Sequence, residues 1–261
     1  MNDASCKIES NDVMYDGHKT RIHIAIPTYN RPNQLLLLLK ELCVYRDSYH
    51  MRINIFDDAS TEDYSAVKSF IRDSGISYKY ITSGKNLGKV MFWKTNNRIF
   101  NNLKSDVFDY YIQIPDDVDL VDEFIPRLIN MINDIKQPVL SYCTCTVHTE
   151  MFEKAGVNKE NINGIEYWTN GWIDGAYIAT RVFFDMIGFE IDPVDKKRWV
   201  TKPLSGSGVC SKIRAKYKRH GSKIYHTCHS MVKHGTHDSV LNPKLRIKQP
   251  MISVLLPCDE K

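Results

Sequence analysis

The chain has 261 residues, of which 43% are hydrophobic and 25% charged, and this composition excludes a disordered or repetitive protein. A net charge of +4 does not by itself indicate a nucleic acid or a membrane as partner. No apolar run approaches the roughly 20 residues that cross a bilayer, and the polar start does not resemble a signal peptide. Seven scattered cysteines favour reduced thiols. We therefore expect no transmembrane segment and a cytoplasmic protein.

Strands and helices are predicted to alternate along the first half of the chain, after a flexible or late-docking lead at 1–20. Each predicted strand is rich in β-branched or aromatic residues and ends in polar ones. Four β-α units in a row predict an α/β fold, with a mainly parallel central sheet and helices on both faces. The predicted strands are 22–26, 52–56, 77–81 and the run that begins at 110, and the predicted helices are 32–46, 62–73, 88–102 and 122–133.

The regular alternation stops near residue 138. One or two strands are predicted over 138–148, a loop-rich stretch over 149–175, and a buried pattern over 176–184. From 190 onward the chain is polar and glycine-rich, which is typical of a substrate-facing segment or lid. We divide the chain into a lead at 1–20 and two halves of one domain, 21–135 and 136–261.

The stretch YYIQIPDDVDL, residues 110–120, is the most informative. A buried strand ends there in three carboxylates, Asp116, Asp117 and Asp119. In open α/β sheets, ligands bind beyond the carboxyl ends of the strands. Clustered carboxylates favour a cation between them, and hard oxygen ligands suit Mg²⁺ or Mn²⁺. Such a cation could hold a diphosphate and neutralise its charge as it leaves. The alternative is a solvated acidic turn that caps the next helix.

Four strand ends, taken in order, resemble those of the family 2 glycosyltransferases of the GT-A fold. The similar segments are IAIPTYNR at 24–31, FDDAST at 56–61, NLGK at 86–89 and PDDVD at 115–119. A second similarity, to the acceptor-side segment of that family, runs from WIDG at 172–175 to GFE at 188–190. The resemblance implies a GT-A, Rossmann-like sheet with an irregular carboxyl-terminal acceptor-side extension.

The resemblance also implies a nucleoside-diphosphate sugar, expected to be a UDP-sugar, on the 21–135 half. Asp57 or Asp58 would accept a hydrogen bond from the base or ribose, and Lys89 would face the diphosphate or the base. The alternatives are a helix-capping turn for the two aspartates and solvated surface charges for Arg31 and Lys89. The expected donor-binding residues are Pro27, Thr28, Tyr29, Arg31, Asp57, Asp58, Asn86, Gly88, Lys89 and Asp116.

Two registers of the acidic motif are possible under this resemblance. If Pro115 takes the first place, Asp117 is the main metal ligand and Asp116 its ribose-side neighbour. In the Asp-x-Asp register, Asp117 and Asp119 are the ligands. A carboxyl-terminal histidine would complete the shell around Mn²⁺ or Mg²⁺, with His234 the first choice and His237 the second. The alternative is a histidine cluster without metal.

Several acidic residues are candidates for the general base. Inverting members of the family carry an acidic pair after the Gly-Phe-Glu segment, where this chain has Ser205-Gly-Ser-Gly208. Asp174 is favoured because Trp172 beside it could stack on a sugar face, and the alternative is a turn before Gly175. The candidate catalytic residues are Asp174, Glu190, Asp192 and Asp195, and the expected acceptor-binding residues are Trp172, Asp174, Ser205 and Ser207.

The sequence therefore predicts a glycosyltransferase whose hydroxyl acceptor is a glycan, a lipid-linked group or a modified DNA base. The basic stretch 212–226, with Tyr217 and Tyr225 interleaved, is the reason for including nucleic acid, although a solvated helix face explains it too. A nucleotidyltransferase would need a glycine-rich loop after the first strand, and 27–31 has no glycine. A non-catalytic binding module is the other alternative. The number of subunits stays open.

Overall fold

The computed structural model describes residues 6–14, 17–144, 146–169, 171, 173, 175–195 and 208–234. The helices in these ranges are α1 Pro32–Cys43, α2 Ser65–Asp73, α3 Phe92–Leu103, α4 Phe124–Ile135, α5 Thr146–Lys154, α6 Arg181–Ile187 and α7 Val209–Lys218. The strands are β1 Lys7–Asn11, β2 Arg21–Thr28, β3 His50–Asp57, β4 Ser77–Thr82, β5 Tyr110–Gln113, β6 Val118–Leu120, β7 Val139–Ser141, β8 Lys159–Ile162, β9 Ile165–Trp168, β10 Tyr177–Ala179, β11 Tyr225–Thr227 and β12 Val232–His234.

Ten of these strands form one sheet, in the order β1-β4-β3-β2-β5-β10-β7-β11-β9-β8. The four strands β4, β3, β2 and β5 run parallel, as the β-α alternation predicts. Strand β10 pairs antiparallel with both β5 and β7, so the second half of the sheet is mixed. The predicted α/β fold with a mainly parallel centre is confirmed.

Helices cover both faces of the sheet, and each face has its own apolar core. On β2, Ile24 belongs to the core that α1, α2 and α4 cover, and Ala25 belongs to the core under α3, α6 and α7. Leu38 of α1 and Phe184 of α6 are examples of fully buried residues from the two sides. This alternation along β2 follows from the period of two in a strand and explains why apolar residues point to both faces of its centre.

The helix boundaries differ from the predicted ones by a few residues. Helix α1 begins at Pro32 as predicted but ends at Cys43, three residues early. The predicted helix from residue 88 begins as a short 3₁₀ turn over Lys89–Met91, and α3 follows at Phe92. Glycine at 88 has a φ of +58°, a conformation that L side chains rarely adopt, so the chain turns there before the helix.

The 146–168 region is more regular than the sequence indicated. Helix α5 begins at Thr146, where a strand was predicted, and a hairpin of β8 and β9 lies in the stretch expected to be loop-rich. Asn163 and Gly164 connect the two strands, and both have positive φ, 52° and 84°. Positive φ at both central residues is what a type I′ hairpin turn requires.

Part of the segment expected to be a lead is ordered against the sheet. Strand β1 pairs antiparallel with β4 at the edge, and all its side chains are exposed. The backbone N–H of Val13 donates to the Ser77 hydroxyl at 2.8 Å, and Asp12 contacts Arg52. No helix within the described ranges has the length and apolar character needed to cross a membrane.

Candidate functional site

The candidate site lies at the carboxyl edge of the four parallel strands. In the strand pairing, Thr28 stands opposite Asp57, and Asp57 stands opposite Thr82. Ala25 of β2 pairs with Gln113, the last residue of β5. The four connections that leave this edge therefore lie side by side, and each of them overlaps one of the four segments that carry the sequence resemblance. The connections are 29–31, 58–64, 83–91 and 114–117.

Two carboxylates of the acidic motif are buried beside one guanidinium. Nη1 of Arg31 lies 3.0 Å from Oδ1 of Asp116 and 2.8 Å from Oδ2 of Asp117. The exposed fractions of the three side chains are 13%, 8% and 7% respectively. One nitrogen thus bridges both acids, so Arg31, which was expected to bind the donor, offsets one of the two negative charges of the acidic pair.

A chain of hydroxyl groups holds Asp116 from the opposite side. The Thr28 hydroxyl donates to Oδ2 of Asp116 at 2.8 Å and lies 2.9 Å from the Tyr64 hydroxyl. The backbone N–H of Arg31 donates to the Tyr64 oxygen at 2.9 Å. When Asp116 is ionised, the Thr28 hydroxyl donates its one hydrogen bond to the carboxylate. The Tyr64 hydroxyl must therefore be the donor in its contact with Thr28. This network orients Asp116 independently of the Arg31 guanidinium.

Burial and charge act against each other in this cluster. Burial raises the pKa of Asp116 to about 6, although Arg31 favours the ionised form. Burial also disfavours the charged form of Arg31, but the two carboxylates outweigh it and the pKa of Arg31 rises. The site therefore keeps a buried acid that is costly to ionise, next to a cation that stays charged.

The two aspartates that end β3 hold the neighbouring loops. Asp57 accepts a hydrogen bond from the N–H of Ser60 at 2.8 Å and from the Tyr80 hydroxyl at 3.2 Å. Asp58 accepts the N–H groups of Leu87 and Gly88, each at 2.8 Å. Burial raises the pKa of Asp58. Asp58 thus ties the loop after β3 to the loop after β4, and Asp57 fixes the turn to Ser60 and contacts strand β4.

The loops after β2 and β3 are also joined to each other. The side-chain carbonyl of Asn30 accepts the N–H of Thr61 at 2.8 Å, and the N–H of Asn30 donates to the Ser60 hydroxyl at 2.9 Å. Asn30 and Ala59 both have positive φ, 53° and 60°, which stores backbone strain at this edge. Asn30 therefore joins the loop after β2 to the loop after β3.

The other predicted donor-binding residues line the same edge. Pro27, Tyr29 and Lys89 are partly exposed, and Asn86 is exposed. A Cβ at Gly88 would lie 3.2 Å from the Asn86 side-chain oxygen, so the turn is tight as well as left-handed. The side chains of Pro27, Tyr29, Asn86 and Lys89 are therefore accessible from solvent, to different degrees, at this edge.

Asp119 is separated from the buried pair. It is exposed on β6, while Asp117 directly precedes that strand and is buried. Strand β12 pairs with β6, which places the His234 backbone opposite Val118. His237 lies outside the described residues. Within the described ranges no three His, Cys, Asp or Glu side chains form a group that could hold a metal ion.

Comparison with protein families matches residues 23–142 to the model described as glycosyl transferase family 2. We call residues 23–142, the part of the chain that this family model matches, the family 2 domain. The family predicted from the four strand ends is thereby confirmed. A search among curated proteins gave no match.

Solved structures of TarS from S. aureus share the fold. TarS 1-349 in complex with UDP-GlcNAc aligns with a TM-score of 0.59 and 14% identity, over 84% of this chain and 60% of that chain. TarS 1-349 aligns with a TM-score of 0.55 and 13% identity, over 83% of this chain and 61% of that chain. The complex of TarS 1-349 with UDP aligns with a TM-score of 0.53 and 12% identity, over 82% of this chain and 60% of that chain. The GT-A fold is confirmed, and this chain spans about 60% of the length of the TarS 1-349 chains.

The predicted catalytic residues lie beyond the family 2 domain, in the second half. The carboxylate of Asp192 forms an ion pair with Lys216 at 3.2 Å, and the same Nζ binds the Glu190 carbonyl oxygen at 2.8 Å. Lys216 therefore anchors both candidates beside α7. Asp195 is exposed. Trp172, Asp174, Ser205 and Ser207 lie outside the described residues, and their roles stay predictions.

Two contributors to the site were missed from the sequence. Tyr64 connects Thr28 to the Arg31 backbone, as described above. Asn97 of α3 exchanges two hydrogen bonds with the backbone of Ile191, at 2.7 and 3.0 Å, and so attaches the second half to the family 2 domain. A single tyrosine or asparagine near a helix carries no sequence signal for such a contact, because the partner is far away in the chain.

The basic stretch 212–226 does not present the aromatic surface that nucleic-acid binding would need. Tyr217 is fully buried in the core under α7, where it packs against Phe183, and Tyr225 is 5% exposed. Their rings are not available to stack on bases. The two tyrosines therefore give no support for a nucleic-acid acceptor, which the sequence had kept as one of several options.

Proposed function

We propose that this chain transfers a sugar from a UDP-sugar to a hydroxyl group of an acceptor, with inversion and with Mn²⁺ or Mg²⁺ in the site. One observation carries the proposal: the family 2 domain holds Asp116, Asp117 and Arg31 as a buried cluster at the carboxyl edge of its parallel strands. Ligands of open α/β sheets bind at this edge. Inversion is supported by the family resemblance alone.

The choice of uridine is supported by the TarS structures, whose complexes contain UDP-GlcNAc and UDP. In this chain Asp57 and Asp58 lie at the loops where the base would be held. A carboxylate has about four lone-pair sites, so Asp58 can accept a ring N–H or a ribose hydroxyl besides the N–H groups of Leu87 and Gly88. Pro27, Tyr29 and Lys89 would complete this half of the donor pocket.

The donor atoms of the cluster fit a divalent cation. The oxygens of Asp116 and Asp117 are hard ligands of the kind that Mg²⁺ and Mn²⁺ prefer, and Asp117 is common to both registers of the motif. Asp119 is exposed, whereas Asp116 and Asp117 are buried. This difference favours the register in which Asp117 is the main metal ligand and Asp116 lies on the ribose side. Water, diphosphate oxygens or a histidine at 234 or 237 would supply the remaining ligands. When bound, the cation would stabilise the negative charge of the departing diphosphate.

Charge balance supports a cation requirement. Two carboxylates and one guanidinium give the cluster a net charge of −1 when all are ionised. A diphosphate adds further negative charge, so donor binding without a cation would place like charges together in a buried site, where repulsion is strong. Lys89, on the neighbouring loop, would offset part of this charge.

The residues of the chain would act by binding and orientation. The Tyr64–Thr28–Asp116 network fixes one carboxylate, and the Asn30–Thr61 contact fixes the loop beside it. Such preorganised groups lose little energy to rearrangement when charge develops. Asp174 is the proposed base for the acceptor hydroxyl, with Trp172 beside it to stack on the sugar. A glycan or a lipid-linked group is the proposed acceptor.

Titration calorimetry with a panel of UDP- and GDP-sugars, with and without Mn²⁺, tests the proposal. We expect a UDP-sugar to bind with Mn²⁺ present and to bind much more weakly after chelation, and we expect slow hydrolysis of the bound donor. Donor binding that is unaffected by chelation would contradict the cation requirement. Binding without any turnover of the donor would favour the non-catalytic module instead.

A further inference from the structure

The Arg31 guanidinium forms a buried ion pair with two carboxylates, not a surface one. It lies within 3.0 Å of both Asp116 and Asp117, and all three side chains are at least 87% buried. Withdrawing three charges from water is costly, and close pairing is needed to offset that cost. Without a second cation, the two acids would repel each other in a medium of low dielectric constant. Arg31 therefore stabilises the acidic pair.

The same guanidinium lies against the carboxylate oxygens proposed to bind the metal. Oδ2 of Asp117 is 2.8 Å from Nη1 of Arg31. A divalent ion bound to the same oxygen would lie so close to the guanidinium that the two positive charges would repel each other strongly. A cation that binds Oδ2 of Asp117 would therefore compete with Arg31 for this oxygen. The cost of displacement is added to the cost of binding the cation.

The backbone allows Arg31 to leave without disturbing the site. Its N–H is held by the Tyr64 hydroxyl, and its carbonyl accepts the N–H of Leu35 at 3.1 Å. Asp116 keeps the bond from Thr28 when the guanidinium moves. Rotation about the side-chain bonds of Arg31 is therefore sufficient, and no loop has to unfold.

We infer that Arg31 is an exchangeable counter-cation of the acidic pair, which holds Asp116 and Asp117 in the absence of donor and yields them to a divalent cation that arrives with a diphosphate. This inference rests on the proposed function for the identity of the diphosphate ligand. The displaced guanidinium stays next to the site and pairs with a phosphate oxygen, an anion it recognises well. The diphosphate thus gives Arg31 a new ion pair in place of the pairs with Asp116 and Asp117 that the cation breaks.

The exchange makes cation and nucleotide binding cooperative. The cation alone must break the Arg31 pairs, whereas the cation with UDP offers Arg31 a new partner. Because the coupling between two ligands is reciprocal, Mn²⁺ must raise UDP affinity by the same factor as UDP raises Mn²⁺ affinity. A variant without the guanidinium should bind free Mn²⁺ more tightly and show less coupling.

Free Mn²⁺ measured by electron paramagnetic resonance, with and without UDP, gives the cation affinity without using activity. We compare the full chain with Arg31→Met, with Arg31→Lys, and with Arg21→Met as a matched control. Arg21 pairs with Asp109 at the other end of β2, away from the site. We expect Arg31→Met to bind Mn²⁺ about tenfold more tightly without UDP, within the usual range of coupling. Arg31→Lys and Arg21→Met should stay near the wild type.

A thermal melt supplies a second readout. Arg31→Met should melt at a lower temperature than the wild type, and Mn²⁺ should restore more of its stability than it gives the wild type. If this variant does not fold, Arg31→Gln replaces it with the same expectations. Mn²⁺ affinity that is unchanged or weaker in a folded variant without the charge would overturn the inference, as would a wild type that binds no Mn²⁺. If Mn²⁺ competes with Arg31 but no nucleotide sugar binds, the proposed function fails and the exchange stands.

Discussion

Thr28 and Asp116 lie 88 positions apart in the chain and share a 2.8 Å hydrogen bond, from the threonine hydroxyl to Oδ2 of the carboxylate. Each residue follows or ends one of two adjacent parallel strands. The bond joins the first strand end of the family 2 domain to its acidic motif, and it is buried. The geometry of the candidate site therefore depends on contacts between strand ends.

Replacing Thr28 with valine keeps the shape and removes the donor. The carboxylate of Asp116 then loses a buried partner, which we expect to lower the free energy of unfolding by about 1–3 kcal/mol. Denaturant unfolding measures this change. Thr61→Val, on an exposed turn, is the control and should stay within about 0.5 kcal/mol of wild type. A Thr28→Val protein as stable as the control would show that the bond contributes nothing.

The two registers of the acidic motif predict opposite results for one pair of variants. Asp116→Asn removes a charge from the buried cluster, so we expect UDP-sugar affinity to fall at least about tenfold, or 1.4 kcal/mol. Asp119→Asn changes an exposed residue, so affinity should change less than about threefold, or 0.65 kcal/mol. Calorimetry with Mn²⁺ present compares the two. The reverse ranking would establish the Asp-x-Asp register.

Asp58 should control the order of the loop after β4. The carboxylate accepts two backbone N–H groups, and asparagine offers one acceptor and a donor group in place of the second oxygen. Asp58→Asn should therefore speed amide exchange at Leu87 and Gly88 and weaken UDP binding. Hydrogen exchange with mass spectrometry follows the loop. Asp73→Asn, at the exposed end of α2, is the control, and equal exchange in both variants would contradict the assignment.

His23 should make the protein less stable in acid. Burial lowers the pKa of His23 from 6.5 to about 4. Between these values the unfolded chain binds more protons than the folded chain, so the free energy of unfolding decreases as pH falls. The expected loss is roughly 2 to 3 kcal/mol between pH 7.5 and pH 4.5. Denaturant unfolding of His23→Gln should show a smaller loss, whereas exposed His220→Gln should match the wild type. Equal losses in all three proteins would contradict this assignment.

The first half of the fold could be predicted because its signals are local and repeated. Strands such as Ile22–Ile26 are short buried runs with polar ends, and each is followed by an amphipathic helix. The second half is built from strands of three or four residues, which are too short for a periodic signal. The hairpin at Asn163 and Gly164 is the exception, since this dipeptide is the strongest short hairpin signal and was overlooked.

The site was predicted at the level of which residues are near one another, but not of which groups pair. Strand ends brought Thr28, Asp57 and Asp116 to one edge, as the order of the motifs indicated. The sequence does not show that one Arg31 nitrogen bridges both acids, or that Asp58 holds the loop at Gly88. Those facts depend on side-chain directions across neighbouring strands, which no spacing along the chain encodes.

The central claim is that buried Asp117 holds a cation that makes a UDP-sugar reactive. The most direct test is turnover of a labelled UDP-sugar with Mn²⁺, for the wild type and for Asp117→Asn, with thermal melts to show that both are folded. We expect the wild type to release UDP and the variant to lose at least about a hundredfold in rate, a change of some 2.7 kcal/mol in the barrier. A folded Asp117→Asn protein with wild-type turnover would contradict the account.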